Sequence, residues 1–324
     1  MPQQTIGIPR SLLYHKYRVL WTEFLHALGH KTVLSPPSNR AILDKGIALA
    51  VDETCVPLKS YLGHVASLSG MADAVLVPRV VSLAKDEDAC VKFMAAYDIV
   101  SNSLPGTRLV EYNVDVKNGF YESREMQKLA RRLGASRLHA FRAYRHARRL
   151  QNEWERAKSV QQDALLDSDR SKILVVGHTY NLYDELLGKP IVDFLDKQGV
   201  EVLSSEYVDK PTARKLASNL SEDLYWTYNK EMLGAVEYYR DKVDGVIFLV
   251  TFPCGPDSLV CELCQRKLKD LPMATLILDE HQGEAGMHTR LESFVDIIKM
   301  KRAAKERESG ADMRAEAAAV GSVS

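Results

Sequence analysis

Apolar positions along the chain fall into two blocks in which short extended runs alternate with helical periodicity. In the first block, Thr5 to Ile8 reads as a strand broken by Pro9. Leu13, Tyr17, Leu20, Phe24 and Leu28 then recur at helical spacing, and Gly29 supplies a stop. The pattern continues with a strand at Thr32–Leu34, helices at Asn39–Ala48 and Pro57–Leu68, and strands at Ala74–Val77 and Arg108–Tyr112. From Glu122 to Gln161 the periodicity is helical throughout, with Leu129, Leu133, Leu138, Phe141, Tyr144, Leu150 and Trp154 predicted to line an inner face. The second block predicts strands at Ile173–Val176, Glu201–Leu203, Gly245–Val250 and Ala274–Leu278. Its predicted helices are Pro190–Gln198, Tyr228–Tyr239, Asp257–Lys269 and His288–Met300. Short strands alternating with helices imply parallel sheets built from βαβ units.

The predicted organisation is therefore an N-terminal α/β lobe over 1–120, a helical connector over 121–170, a C-terminal α/β lobe over 171–303, and a tail over 304–324. That tail turns to charged residues, then Ala, Gly and Ser, and reads as disordered. A length of 324 residues with 46% hydrophobic positions is enough for two such lobes and a substantial core.

Charge excludes some classes of function. Lys+Arg and Asp+Glu both number 43, so no global field draws the chain to nucleic acid or an anionic membrane. The start MPQQTIGIPR has no basic and long apolar regions of the signal-peptide kind, and no run approaches the ~20 apolar residues of a membrane span. A cytoplasmic location is expected. Locally, Arg131, Arg132, Arg137, Arg142, Arg145, Arg148 and Arg149 make the connector basic, either as a solvated face or as a landing surface for a phosphate, a nucleotide or an acidic partner.

Five cysteines in a reducing compartment do not read as a disulfide framework. Three of them occupy the places where an open parallel sheet presents ligands, beyond the carboxyl ends of its strands. Cys254 follows the strand Gly245–Val250, Cys90 lies in the loop after Ala74–Val77, and Cys55 directly precedes a helix. Cys55 and Cys254 are each followed two residues later by a proline able to open a helix. A sulfur at a helix N-terminus is expected to favour the thiolate, the form that ligates iron. Three such ligands can hold three irons of a cubane and leave the fourth open. Zinc is the competing metal, completed by His64, His178 or His281 into a closed tetrahedral site. Cys261 and Cys264 share one face of the helix after Cys254 and read either as packed thiols or as part of a further cluster.

Other polar residues fall at the same predicted end of the sheets. Glu280 and His281, after the strand Ala274–Leu278, are the candidate acid–base groups, with Asp279 beside them. Tyr180, Asn181, Tyr183 and Asp184 follow Val176, and Lys59 and His64 lie on the helix after Cys55. Neither G-x-x-x-x-G-K-[ST] nor a post-strand G-x-G-x-x-G occurs, so the chain is not expected to bind ATP by those routes.

The run TIGIPRSLLYHKYRVLWTEFLHALGHKTVLS, followed by DETCVPLKSYLGHV and PRVVSLAKDEDACVKF, resembles the acyl-CoA dehydratase activase-related proteins. These are relatives of the cluster-bearing subunits of 2-hydroxyacyl-CoA dehydratases. GHTYNLYDELLGKPIVDFLDKQGVEVL, LYWTYNKEML, FPCGPDSLV and LDEHQGEAGMHTRLESFVD extend the resemblance over most of residues 5–300. It implies two flavodoxin/Rossmann-like lobes with a [4Fe–4S] cluster between them, on Cys55, Cys90 and Cys254. It also implies low-potential electron transfer or reductive chemistry, fed by an ATP-dependent activase that carries its own iron–sulfur cluster. A small acyl-CoA or other small molecule is the implied substrate, and a homodimer is one assembly left open. The chain departs from the dehydratases proper: it is short, no CoA-binding segment is legible, and Val91 stands where a proline follows the second cysteine. A dehydratase component and a non-catalytic zinc or interaction module are the alternatives.

Overall fold

The structure, a computed structural model, describes residues 3–281 and 284–321. Its first half comprises β1 (Thr5–Ile8), α1 (Tyr14–Ala27), β2 (Lys31–Leu34), α2 (Arg40–Ile47), α3 (Val56–Ser67), β3 (Ala74–Leu76) and β4 (Arg79–Ser82). There follow α4 (Val91–Met94), α5 (Ala96–Ser103), β5 (Leu109–Val110), β6 (Asn113–Asp115), α6 (Glu122–Arg132) and α7 (Arg137–Leu165). The second half comprises β7 (Ser171–Val176), α8 (Thr179–Tyr183), α9 (Lys189–Lys197), β8 (Val200–Ser204), α10 (Lys210–Ala217) and α11 (Thr227–Tyr239). It ends with β9 (Gly245–Thr251), α12 (Gly255–Lys267), β10 (Met273–Leu278) and α13 (Glu284–Gly321).

Two four-stranded sheets form, ordered β2-β1-β3-β5 and β8-β7-β9-β10, with every pairing parallel. Counted within each sheet, both orders are second–first–third–fourth. The two lobes thus share one doubly wound, Rossmann-like topology, as the strand–helix alternation predicts. In the second lobe both faces of the sheet are buried. Leu174, Val176, Val246 and Phe248 point into one core with Leu233, Val236 and Val260, while Ile173, Val175, Ile247 and Leu249 point into another with Ile191, Leu195 and Leu291. That two-sided burial explains why these strands read as unbroken apolar runs.

Three expectations are corrected. The connector is two helices, because Gly134 takes φ +94° and ends α6 before Ser136 caps α7 by accepting from His139 N. Of its predicted inner face, Leu129 and Leu133 are buried and Tyr144 packs against the first core, whereas Leu138 and Phe141 are exposed and α7 turns Ala140, Ala143, Ala147 and Gln151 inward. Small residues let α7 approach α1 closely, and the larger side chains were out of phase with that contact. The predicted tail is helical through Gly321, in keeping with its Ala- and Glu-rich sequence; residues 322–324 lie outside the described residues. The pair β4–β6, with α4, α5, α8 and α10, escaped the periodicity. It extends β3 and β5 past Pro78, with Val77 N donating to Val110 O and Arg79 N to Tyr112 O.

The lobes are joined by buried polar contacts. Lys16 of α1 pairs with Glu206 (2.7 Å) and Glu231 (3.3 Å), and Lys59 of α3 pairs with Glu280 (2.7 Å). Glu87 meets Arg214 and Lys230, and Asp88 forms a β-bridge to Trp226. Gln151 of α7 is bonded to Leu20 N and Lys16 O, and Gln162 further along is bonded to the backbone of Ser204, so the connector grips both lobes. Among the described residues, no helix is long and apolar enough to cross a membrane.

Glycines set the height of α3. A Cβ on Gly46 would lie 1.7 Å from Lys59 O, and one on Gly63 would lie 1.9 Å from Ile42 O. Gly63→Ala is therefore expected to lose at least about 1–3 kcal/mol of stability by forcing α2 and α3 apart. Urea unfolding of the variant checks this, and an unchanged midpoint would show that the helices part freely.

Candidate functional site

Each of the three singled-out cysteines is the residue at which a helix begins. Cys55 caps α3, Cys90 caps α4 and Cys254 caps α12. Pro57 and Pro256 stand in the first turns of α3 and α12, as the spacing predicts. Cys90 and Cys254 occupy matching places, each following the third strand of its sheet. The loops after β7 and β9 flank the point where the second sheet's order reverses, where such sheets bind ligands. They carry His178 and Tyr180 on one side and Cys254 on the other.

The structure brings the three thiols together. Cys90 lies near enough to Cys55 and to Cys254 to raise the pKa of each, and the Asp257 carboxylate raises that of all three. Tyr180 feels Asp257, Cys254, Cys55 and Cys90 together. All three cysteines are half-buried. The expectation of ready thiolates is corrected. Burial raises the pKa of each thiol above its ordinary value, and this outweighs the helix-start N–H groups that pull the other way. Ligating a metal would therefore expel protons as well as fill space.

Aromatic and polar side chains wall the thiols. Tyr180 stacks on His178, with ring centres 4.9 Å apart and planes 15° apart. Phe93 lies edge-on to both Tyr180 and Tyr228. Asp257, only 1% exposed, accepts from His178 Nε2 (3.0 Å) and Asn229 Nδ2 (2.7 Å) and bonds the Cys254 thiol. Burial opposes its ionisation, but His178 and these hydrogen bonds hold its pKa below the usual carboxylate value. Its second oxygen, Oδ2, is buried and has no hydrogen-bond partner among the described residues. The sequence reading missed Asp257, Asn229, Phe93 and Tyr228. The one available signal was the acidic residue three positions after the cysteine in P-C-G-P-D, in the first turn of α12.

The other candidates lie elsewhere. Glu280 is tied to Lys59 by both carboxylate oxygens, and His281 is 80% exposed beside it at 3.6 Å. Cys261 and Cys264 pack in the apolar core; Cys261 Sγ meets Thr275 Oγ1 at 2.9 Å, and burial pushes the Cys264 pKa up to about 12. Asn181 is buried, and Tyr183 packs near Tyr207. Neither His64 nor His281 is placed to complete a zinc site with the three thiols, and His178 Nε2 is engaged by Asp257. Among the described residues, no three His, Cys, Asp or Glu side chains close on a single ion.

His64 instead bonds Ser35 and Ser38 (2.8 and 2.9 Å), and Ser38 donates to Asp184 across the lobe boundary (2.5 Å). Burial lowers the His64 pKa to about 4 and raises that of Asp184 to about 6. The folded state takes up a proton at Asp184 as pH falls from about 6 to the usual carboxylate range. That carboxyl therefore costs stability above about pH 6 and nothing below about pH 4, up to roughly 3 kcal/mol at 1.36 kcal/mol per unit. His64 acts in the opposite sense, losing stability as pH falls from 6.5 towards 4. Asp184→Asn is expected to gain stability over wild type at pH 7 but not at pH 4, measured by urea unfolding. An equal difference at both pH values would refute it.

Residues 5–208 match the family described as the CoA enzyme activase uncharacterised domain. No curated protein matches. Among solved structures, the SBP FpvC of Pseudomonas aeruginosa in complex with Ni2+ is 14% identical, covering 92% of this chain and 96% of that one, with a TM-score of 0.27. Its Mn2+ complex gives 14%, 92%, 98% and 0.28. A carbohydrate transporter from Acidothermus cellulolyticus 11B in complex with myo-inositol is 10% identical, covering 85% and 74%, with a TM-score of 0.21. Overlaps this loose carry no weight for function. The family match spans more than half of the sequence and includes Cys55 and Cys90; the chain belongs to the CoA enzyme activase uncharacterised domain family.

Proposed function

We propose that the chain is an iron–sulfur protein holding a [4Fe–4S] cluster on Cys55, Cys90 and Cys254, and that it works in low-potential electron transfer with an ATP-dependent activase bearing its own cluster. The reading is carried by one observation: three thiols from three separate segments of both lobes, each starting a helix, meet around Tyr180 and Asp257. The donor set fits the group. Thiolates are the usual cluster ligands.

When bound, the cluster would supply one-electron chemistry at a low potential. The surrounding residues do the rest. Asp257, fixed by His178 and Asn229, orients the Cys254 sulfur. Phe93, Tyr180 and Tyr228 exclude water from the inner side. Val51, Val91 and Phe252 are 69%, 64% and 63% exposed, and each lies within four residues of one cysteine in the sequence. This apolar rim supports docking of an electron donor over the thiols. Raising one electron by about 300 mV takes roughly 7 kcal/mol, within reach of nucleotide hydrolysis and beyond thermal fluctuation.

The test mixes anaerobically reconstituted protein with an activase, reductant and ATP. Absorbance near ~400 nm, typical of such clusters, is expected to bleach only when ATP is present. No ATP-dependent bleaching would overturn the electron-transfer reading. Turnover of a 2-hydroxyacyl-CoA in the same mixture would assign the finer role of a dehydratase component.

A further inference from the structure

A second concavity lies away from the thiols, at the seam between the lobes. Its volume is about 420 Å³, within the range of small-molecule sites. Arg40 and Leu43 of α2 form one wall, Leu187 and α9 another, and the end of β10 with Met287 and His288 of α13 closes the third. The floor is apolar and built: Leu43, Leu187, Leu278 and Met287 are 3%, 8%, 2% and 8% exposed. His288 lies flat against Phe194, with ring centres 5.0 Å apart, leaving an aromatic side wall.

The charges on the rim are unequal in what they have left to offer. Its three carboxylates are already engaged. Glu280 is held by Lys59, Asp193 by Lys189 at 2.6 Å, and Asp279 accepts from His281 N at 2.5 Å. The cations are less committed. Lys197 has no carboxylate partner among the described residues, and Arg40 spends Nε on Asp44 and Nη1 on Glu280 O, leaving Nη2. An apolar floor under an uncommitted ammonium and half a guanidinium matches a ligand with a hydrocarbon body and one anionic head.

We infer that this cavity binds a small organic carboxylate with an aryl or short alkyl body, seated on Leu43, Leu187 and Leu278 with its carboxylate at Lys197 and Arg40. The site is independent of any group on the cysteines, so it is testable whether or not the thiols carry iron.

Phenylacetate is a suitable probe, titrated calorimetrically into the full chain. One saturable site with a Kd of about 1 mM or tighter is expected, the range open to a ligand of this size. Lys197→Glu, on an exposed residue that the fold does not need, is expected to weaken binding at least about tenfold by reversing the charge beside the head group. Lys215→Glu, an exposed change of equal charge on α10, is expected to leave binding unchanged. Methyl phenylacetate, with the same body and no charge, is expected to bind at least about tenfold more weakly. Absence of saturable binding, equal affinity for acid and ester, or equal loss in both lysine variants would each overturn the assignment.

Discussion

Serine in place of Cys55, Cys90 or Cys254 is expected to strip iron from the anaerobically reconstituted protein, each change alone being enough. The sulfurs come from three separate segments, so removing one leaves two thiolates on different helix starts, with the Asp257 carboxylate, held by His178 and Asn229, as the neighbouring donor. His178 is engaged by Asp257, and His64 is bonded to two serines. Disturbing an outer partner of a metal ligand already costs about 10–100-fold in affinity, and losing a ligand is expected to exceed that. Cys261→Ser is the internal control. Its sulfur is packed in the core beside Thr275, so iron content should hold while stability falls modestly. Iron retained by all three single variants would remove the cysteines from the site, whatever their placement.

Lys16→Ala is expected to be the most destabilising single change outside the core. Lys16 is 4% exposed, lies 4.8 Å from the centre of the Tyr228 ring, and stands between Glu206 and Glu231. Burial opposes its charge, but the two carboxylates carry its pKa above the ordinary value, so it remains protonated. Removing it leaves Glu206 without its cation and Glu231 held by Arg214 alone at 3.0 Å, two acids close together with one positive partner. The expected loss is about 3–5 kcal/mol, a large part of the ~5–15 kcal/mol of a typical fold. Adding Glu206→Gln to the variant should recover part of that loss, because one stranded charge disappears. Urea unfolding of single and double variants measures both. A loss under about 1 kcal/mol would mean that water reaches the cluster of charges and screens it.

Much of this was written in the sequence, for physical reasons that can be named. Strands such as β7 and β9 are buried on both faces, so they read as apolar runs, and the alternation of strand and helix fixes a parallel sheet. Cys55 and Cys254 stood out because proline two residues on marks a helix start, and Cys90 because it follows a strand, the position that faces the ligand end of a sheet. What stayed hidden depends on contacts across the chain. Asp257 and His178 are 79 positions apart, and only the return of β9 beside β7 puts them together. The thiol pKa values went the other way from the expectation because burial is a tertiary quantity that local sequence does not carry. Leu138 and Phe141 look like core by composition, yet the close packing of α1 against α7 selects alanines. Glu280 looked like a catalytic group at a strand end, and Lys59, 221 residues away, makes it a strut between the lobes.

That the three thiols serve one inorganic centre is tested most directly by the iron and acid-labile sulfide content of protein purified under strict exclusion of oxygen. About four of each per chain are expected, with a brown colour. A colourless protein with one zinc, or with no metal after reconstitution with iron and sulfide, would contradict it.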